Sequence, residues 1–231
     1  MNLKERSEEI EIMDDLNIAG EVVDQTLREL DVINRNLGGN QVSLAVFKKL
    51  LKEKAPSSLV DLGCGGADIL MDMAKIAKKI GQPVQFFGVD ANQEIVDYAN
   101  KNTAAWSNIH CEKLNIFSEA FAQKSFDIIH CCLFTHHFTS DELVILFKQW
   151  KRQAKTAIII NDLHRHWLAY YSIKWITSFF SSSYMVKNDA AVSVARGFKK
   201  RELLDILTRA GLSNYKIKWK WAFRWQLVVY I

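Results

Sequence analysis

Eight residues, Leu59-Val60-Asp61-Leu62-Gly63-Cys64-Gly65-Gly66, constrain the fold of this 231-residue chain more than any other stretch. An apolar run of strand length ends in an acid and then in a glycine-rich turn. Val84–Asp90 (Val-Gln-Phe-Phe-Gly-Val-Asp) follows one helix-length later and ends in a second acid. Glycines at such a turn let the backbone approach a ligand closely, and a carboxylate at the tip of the next strand can accept both hydroxyls of a ribose. Together they describe a crevice for a nucleotide-shaped molecule.

The spacing narrows the choice. Asp61-x-Gly63-x-Gly65 departs from the dinucleotide fingerprint, because no glycine stands three residues after Gly65. Ala67 and Asp68 follow Gly66 directly and leave less room for a pyrophosphate. That favours S-adenosylmethionine (SAM), which has no phosphate to cradle. Asp61 is expected to accept a hydrogen bond from its ammonium, directly or through water. Gly63, Cys64 and Gly65 should pass beneath its methionine part, and Asp90 should bind the ribose with Ala91 and Asn92 at the rim. Each residue alone has a plainer use, a tight strand-to-helix turn for the glycines and a helix N-cap for Asp90. The combination points to the ligand.

Strands and helices alternate from residue 58 onward, which specifies a parallel sheet covered on both faces. The strands are expected at Ser58–Leu62, Val84–Val89, about Ile109–Leu114, Phe126–Cys131 and Thr156–Asn161. Helices should fill 68–80, 93–102 and 140–154, the last capped by Ser140 with Asp141 and Glu142 in its first turn. A helix at Phe198–Ala210 stops at Gly211, and two strands, Tyr215–Trp221 and Phe223–Ile231, follow across a very short turn. A terminal hairpin makes the last strand antiparallel, a feature the usual dinucleotide fold lacks. Upstream, Glu21–Leu37 has apolar residues near a 3.6 period, Gly38-Gly39-Asn40 should end it, and Val42–Lys54 forms a second amphipathic helix.

Asp61–Gly66 with Asp90 resembles motif I and the ribose acid of class I SAM-dependent methyltransferases. The likeness continues through Phe126–Ile129 and Asn161-Asp162 and spans about residues 55–231. It implies an α/β, Rossmann-like, seven-stranded methyltransferase fold, mostly parallel with an antiparallel last strand. In such a fold Asn115 stands where an acid or amide lies near the adenine, Ile116 stacks on the ring, and Cys131 ends a strand whose backbone lines the methionine part. Residues 1–55 become a helical cap or lid, with simple cover for the sheet edge as the alternative. Residues 166–190, which break the alternation, become an insert that shapes the acceptor site.

For the transfer itself, nucleophile, methyl and sulfur must be aligned and water excluded. His136 and His137 in Leu-Phe-Thr-His-His-Phe-Thr follow the fourth strand directly, so one of them could serve as general base, with packing or capping as the plainer role. Asn161-Asp162-Leu163-His164-Arg165, with Asp189, Ser193, Arg196 and Phe198, resembles a bacterial small-molecule subgroup related to the quinone-biosynthesis methyltransferases. The resemblance implies an aromatic or polyketide-derived acceptor methylated on oxygen, or failing that on carbon, with Asp162, His164, Arg165, Tyr170 and Tyr171 as acceptor residues. Asp162 or Asp189 paired with Arg165 or Arg196 would instead be a structural network. The histidines lack acids at metal-ligand spacing, so no metal is expected.

Charge is uneven. Residues 145–231 hold 16 Lys and Arg against 4 Asp and Glu, a net of +12 within a chain whose total is +4. Solvated basic faces account for this; an acidic acceptor, an anionic membrane surface and RNA are the functional alternatives. An RNA methyltransferase is disfavoured because Cys-Cys-Leu-Phe follows the fourth strand where an amine-methylating motif would stand. A catalytically silent SAM-fold partner protein is disfavoured by the intact acids and glycines. Trp167–Val186 is long enough to span a bilayer but carries Lys174 and many hydroxyls, leaving peripheral contact as the only membrane role expected. The N-terminus resembles no signal peptide, and Cys64, Cys111, Cys131 and Cys132 show no paired spacing. A reduced, cytoplasmic monomer or homodimer acting on a small molecule is the resulting expectation.

Overall fold

The computed structural model describes residues 3–231. Seven strands form one sheet: β1 (Ser58–Leu62), β2 (Gln85–Asp90), β3 (Ile109–Lys113), β4 (Phe126–Cys132), β5 (Ala154–Leu163), β6 (Tyr215–Lys220) and β7 (Arg224–Tyr230). Their spatial order is β3-β2-β1-β4-β5-β7-β6. The first five run parallel, and β7 lies antiparallel to both β5 and β6, as the terminal hairpin requires. Chain direction across the sheet reverses beside β1, so a crevice opens at the carboxyl ends of β1, β2 and β4.

Alternation along the strands divides the core in two. Val60, Leu62 and Ile129 pack with Phe147, Trp150 and Leu203 on one face. Leu59, Phe86 and Ile128 pack with Leu70, Met73 and Phe47 on the other. Successive strand residues point to opposite faces, so a sheet buried on both sides needs near-continuous apolar strands, and β1 and β4 have them. The covering helices are α3 (Asp68–Ile80), α4 (Gln93–Asn102), the short α5 (Glu119–Ala122), α6 (Ser140–Gln153) and α9 (Lys200–Arg209).

Two local expectations are corrected. Thr139, not Ser140, caps α6: its hydroxyl accepts from Glu142 N at 3.3 Å while Glu142 reaches back to Thr139 N at 2.8 Å. Such a capping box satisfies two free N–H groups at once. The helix expected from Val42 begins at Gly39, giving α2 (Gly39–Lys54) directly behind α1 (Glu21–Asn36). Gly38 makes the reversal with φ of 69°, and a Cβ on Gly39 would lie 2.7 Å from the Arg224 guanidinium. The glycine pair therefore joins two helices at close quarters.

Residues 167–196 form two helices, α7 (Trp167–Phe180) and α8 (Tyr184–Arg196), separated by three serines. Ser181 and Ser183 are tied to Glu29 of α1, which breaks the apolar run into two short pieces. No described helix is long and apolar enough to cross a membrane. The N-terminal residues 3–18 run across the carboxyl ends of the strands and onto α8; Met1 and Asn2 of the expected cap lie outside the described residues.

Candidate active site

At the cofactor end the glycine turn is fixed by one carbonyl: Val89 O accepts from Gly63 N at 2.8 Å and Cys64 N at 3.1 Å. Gly63 and Gly65 take φ of 69° and 51°, the left-handed region that costs glycine nothing. Gly63 is further constrained, since a Cβ there would fall 2.2 Å from the Phe134 ring. Gly63→Ala is thus expected to shift Phe134 or the turn and to weaken SAM binding at least tenfold by calorimetry, whereas Gly65→Ala, with only Leu27 at 3.7 Å, should do less.

Asp61 is 1% exposed and sits opposite His130 across the β1–β4 pair. The imidazole bridges Asp61 (Nδ1 to Oδ1, 2.6 Å) and Ser43 (Nε2 to Oγ, 2.8 Å). Asn161 Nδ2 can only donate, and it gives to Ser43 Oγ at 3.1 Å. The serine proton is then free for His130 Nε2, and Nδ1–H faces the carboxylate. Burial pushes the Asp61 pKa up against the pull of His130. Sequence reasoning missed His130 because a histidine inside a strand carries no local signature; its register opposite Asp61 is what gives it a role.

Asp90 ends β2 with its carboxylate at the cavity, accepting from Asn92 N at 3.1 Å and Gly65 N at 3.4 Å. Burial raises its pKa, against those same hydrogen bonds. Cys64, Ala91, Asn115 and Ile116 also line the cavity. Asn115 is partly spent locally, its Oδ1 accepting from Phe117 N at 2.9 Å. Cys131 does not reach the cavity and is fully buried in the core. The cavity is about 430 Å³, within the range of about 300–1,000 Å³ usual for cofactor and drug-sized ligands. Buried Asp61 and half-buried Asp90, flanking an open glycine backbone, fit a ligand with an ammonium at one end and a ribose at the other.

The same cavity continues to His136 and His137, held in a 3-10 turn (Thr135–His137) just after β4. Asp162 at the end of β5 organises that turn. Its Oδ2 accepts from Thr135 Oγ1 at 2.5 Å and His136 N at 3.1 Å, and its Oδ1 from His136 Nδ1 at 2.7 Å. Burial opposes charge on His136, but the Asp162 carboxylate and contacts to Asp162 and Glu11 outweigh it, and the pKa is pushed up to about 9.

The N-terminal segment supplies two acids that the sequence did not reveal. Glu11 Oε1 lies 3.3 Å from His136 Nε2, and Asp14 Oδ1 lies 2.6 Å from His137 Nδ1. Both acids stand more than 120 positions from the histidines, in a polar stretch with no motif of its own, so only the folded chain brings them together.

The expected pairing of Asp162 or Asp189 with Arg165 or Arg196 is corrected. Asp162 serves the histidine turn, and Asp189 accepts the backbone N–H groups of Ile12 and Met13 at 2.8 and 3.0 Å. Arg196 pairs with Asp14 at 2.6 Å and also donates to the carbonyls of His136 and His137. Arg165 pairs with Glu202 at 2.5 Å and donates to Leu3 O at 3.2 Å. Arg6 donates to the carbonyls of Arg196, His136 and Phe138 and lies 4.3 Å over the Phe198 ring. These residues are a clasp that fastens residues 3–15 beside the histidines.

None of the five expected acceptor residues, Asp162, His164, Arg165, Tyr170 and Tyr171, lines the cavity; Asp162 bears on it only through the histidine turn. His164 receives Trp219 Nε1 at 3.2 Å within an aromatic cluster with Trp225. Tyr171 faces outward on α7, as do Trp175, Phe179 and Phe180. The residues of the insert that do reach the cavity, Val186, Asp189 and Ala190, come from α8, which also contributes Ser193 just beyond it.

Comparison with known proteins gives the family and the fold. The sequence model of the family described as "Methyltransferase domain" matches residues 53–211. A carboxy-S-adenosyl-L-methionine synthase of Campylobacter jejuni is 23% identical over 210 residues, covering 83% of this chain and 85% of that protein. Among solved structures, the plantazolicin methyltransferase BpumL, bound to a triazolic desmethylPZN analog and SAH, superposes with a TM-score of 0.65 at 18% identity, covering 91% of this chain and 89% of that one. Magnesium protoporphyrin IX methyltransferase (ChlM) of Synechocystis with bound SAH gives 0.57 at 16% identity, covering 86% of each chain.

Proposed function

The chain belongs to the methyltransferase-domain family and is a SAM-dependent enzyme, and from that premise we propose that it methylates an oxygen of an uncharged, hydrophobic small molecule of aromatic or polyketide type. The observation that carries the acceptor class is the composition of the cavity wall. Glu11, Asp14, Asp61, Asp68, Asp90 and Asp189 line it, and among the described lining residues there is no Lys or Arg. Such a wall disfavours carboxylates and phosphates, because an anion would face these acids while the positive charge of His136 is already paired with Asp162 and Glu11. The basic charge of the C-terminal half does not reach this cavity.

When bound, SAM supplies a methyl group on a positively charged sulfur, which leaves readily. Asp61 holds the ammonium end and Asp90 the ribose diol, while the backbone of Gly63–Gly65 passes between them. Asn115 and Ile116 border the adenine. Met13, Leu16, Leu27 and Leu30 come from the N-terminal cover and give the cavity an apolar side. They exclude water and favour a hydrophobic acceptor. Its oxygen is received at the His136–His137 end, where Asp162 orients His136 and the Arg6–Arg196 clasp keeps Glu11 and Asp14 in place.

Release of S-adenosylhomocysteine from SAM, measured with paired phenols that differ only in a ring carboxylate, tests this reading. The neutral member of each pair is expected to be methylated at least tenfold faster in kcat/KM. A consistent preference for the carboxylated members would overturn the assignment of the acceptor class.

A further inference from the structure

Three side-chain atoms in the floor of the cavity are buried without a hydrogen-bond partner: Glu11 Oε1, His136 Nε2 and His137 Nδ1. Buried polar groups are nearly always satisfied, so three converging unaligned ones point to something that binds there, and Asp14 Oδ1, at 2.6 Å, is a charge partner only for His137 Nδ1. They converge on one point, all lying within 4.8 Å of one another. The Glu11–His136 contact of 3.3 Å and the Glu11–His137 contact of 3.9 Å are close enough for attraction but not aligned as hydrogen bonds. Two ligands each about 2.1 Å from a tetrahedral ion stand about 3.4 Å apart. The two separations from Glu11 bracket that value, and the two histidine nitrogens lie within 4.8 Å of each other, so modest side-chain adjustment would bring the three atoms onto one ion.

The surroundings of the cluster are those of ligands already oriented. His136 Nδ1 is held by Asp162 at 2.7 Å, which directs Nε2 inward. Glu11 Oε2 accepts from Ser193 Oγ at 2.7 Å, which leaves Oε1 free. Asp14 Oδ2 is taken by Arg196 at 2.6 Å, and its Oδ1, 2.6 Å from His137 Nδ1, adds negative charge beside the cluster and would move aside when that nitrogen binds an ion. Metal-binding histidines and carboxylates are characteristically fixed in this way through their second atom.

We propose that Glu11, His136 and His137 bind a divalent transition-metal ion whose open positions face the cavity and take the acceptor's oxygen. Two imidazoles and a carboxylate suit Zn²⁺, Mn²⁺ or Fe²⁺ better than Ca²⁺ or Mg²⁺. The acceptor half of the proposal rests on the function proposed above. There a hydroxyl bound to the ion loses its proton to solvent water, and the electron pair left on its oxygen forms the new C–O bond as the methyl's bond to sulfur breaks, that bond's pair leaving on the sulfur of S-adenosylhomocysteine.

Chelator-treated protein is titrated with ZnCl₂ and with MnCl₂ by calorimetry, and S-adenosylhomocysteine binding is measured separately on the same preparation. One equivalent of at least one metal should bind with a micromolar or tighter Kd. His137→Gln and Glu11→Gln should each weaken it at least tenfold, and Asp162→Asn 10- to 100-fold, while S-adenosylhomocysteine affinity stays within threefold. His164→Gln, in the other histidine cluster, should leave metal affinity unchanged. Absence of binding of both metals at 100 µM, or binding indifferent to both His137→Gln and Glu11→Gln, overturns the metal site and returns the histidines to a direct acid–base role. If metal binds and S-adenosylhomocysteine does not, the cofactor assignment fails instead. Retained circular dichroism in Glu11→Gln separates lost ligation from unfolding.

Discussion

Asp90→Ala should lose most of its affinity for SAM, with Kd rising about 10- to 150-fold in calorimetry. The figure follows from hydrogen bonds to a charged group, each worth about 1.5–3 kcal/mol. Asp90 stands at the end of β2, and besides its contacts to Asn92 N and Gly65 N it offers the cavity its remaining acceptor capacity. Removing it also leaves those two N–H groups less well satisfied, so the thermal midpoint should fall slightly. Asp90→Asn keeps the shape but halves the acceptor capacity, and should fall between alanine and wild type. Unchanged affinity in both variants would remove Asp90 from the ribose site.

Arg165→Met separates a structural from an acceptor-binding role for a residue that the motif placed at the acceptor. Arg165 is 2% exposed and ties Glu202 of α9, the carbonyl of Gly197 and the carbonyl of Leu3 to the end of β5. Removing one partner of a buried ion pair costs about 3–5 kcal/mol, because the other charge is left without compensation. For a chain of this size that corresponds to a fall in Tm of about 6–20 °C. S-adenosylhomocysteine affinity at low temperature should be nearly unchanged. Arg165→Met combined with Glu202→Met should recover part of the loss, since the stranded carboxylate is gone. An unchanged Tm with a raised KM for the acceptor would restore Arg165 to the binding role.

Most of the sheet was legible because its signals are local. β1, α3 and α4 lie at the positions that periodicity and glycine punctuation indicate, and the terminal strand pair fixed the antiparallel edge. Thr139 was overlooked as a cap because Ser140 beside it has the same chemistry, and only backbone angles distinguish Ncap from N1. The aromatics of α7 were ambiguous for another reason. Trp167, Trp175 and Phe179 recur at helical spacing, but periodicity cannot say which way a stripe faces when both sides of the helix are apolar. In the fold that stripe lies outside and α8 provides the cavity wall.

By itself the sequence determined the strand–turn–helix that carries Asp61 and Gly63, the carboxylate one strand later, and the placing of two histidines after the fourth strand. Those depend on neighbours within about thirty residues, where backbone geometry and side-chain spacing are enough. Tertiary structure alone decided that His130 would face Asp61, that Glu11 and Asp14 would meet His136 and His137, and that the arginines would clasp the N-terminal segment. Such contacts join elements far apart in the chain, and they form only when burial of apolar faces has fixed the strand register and the path of the segment above it.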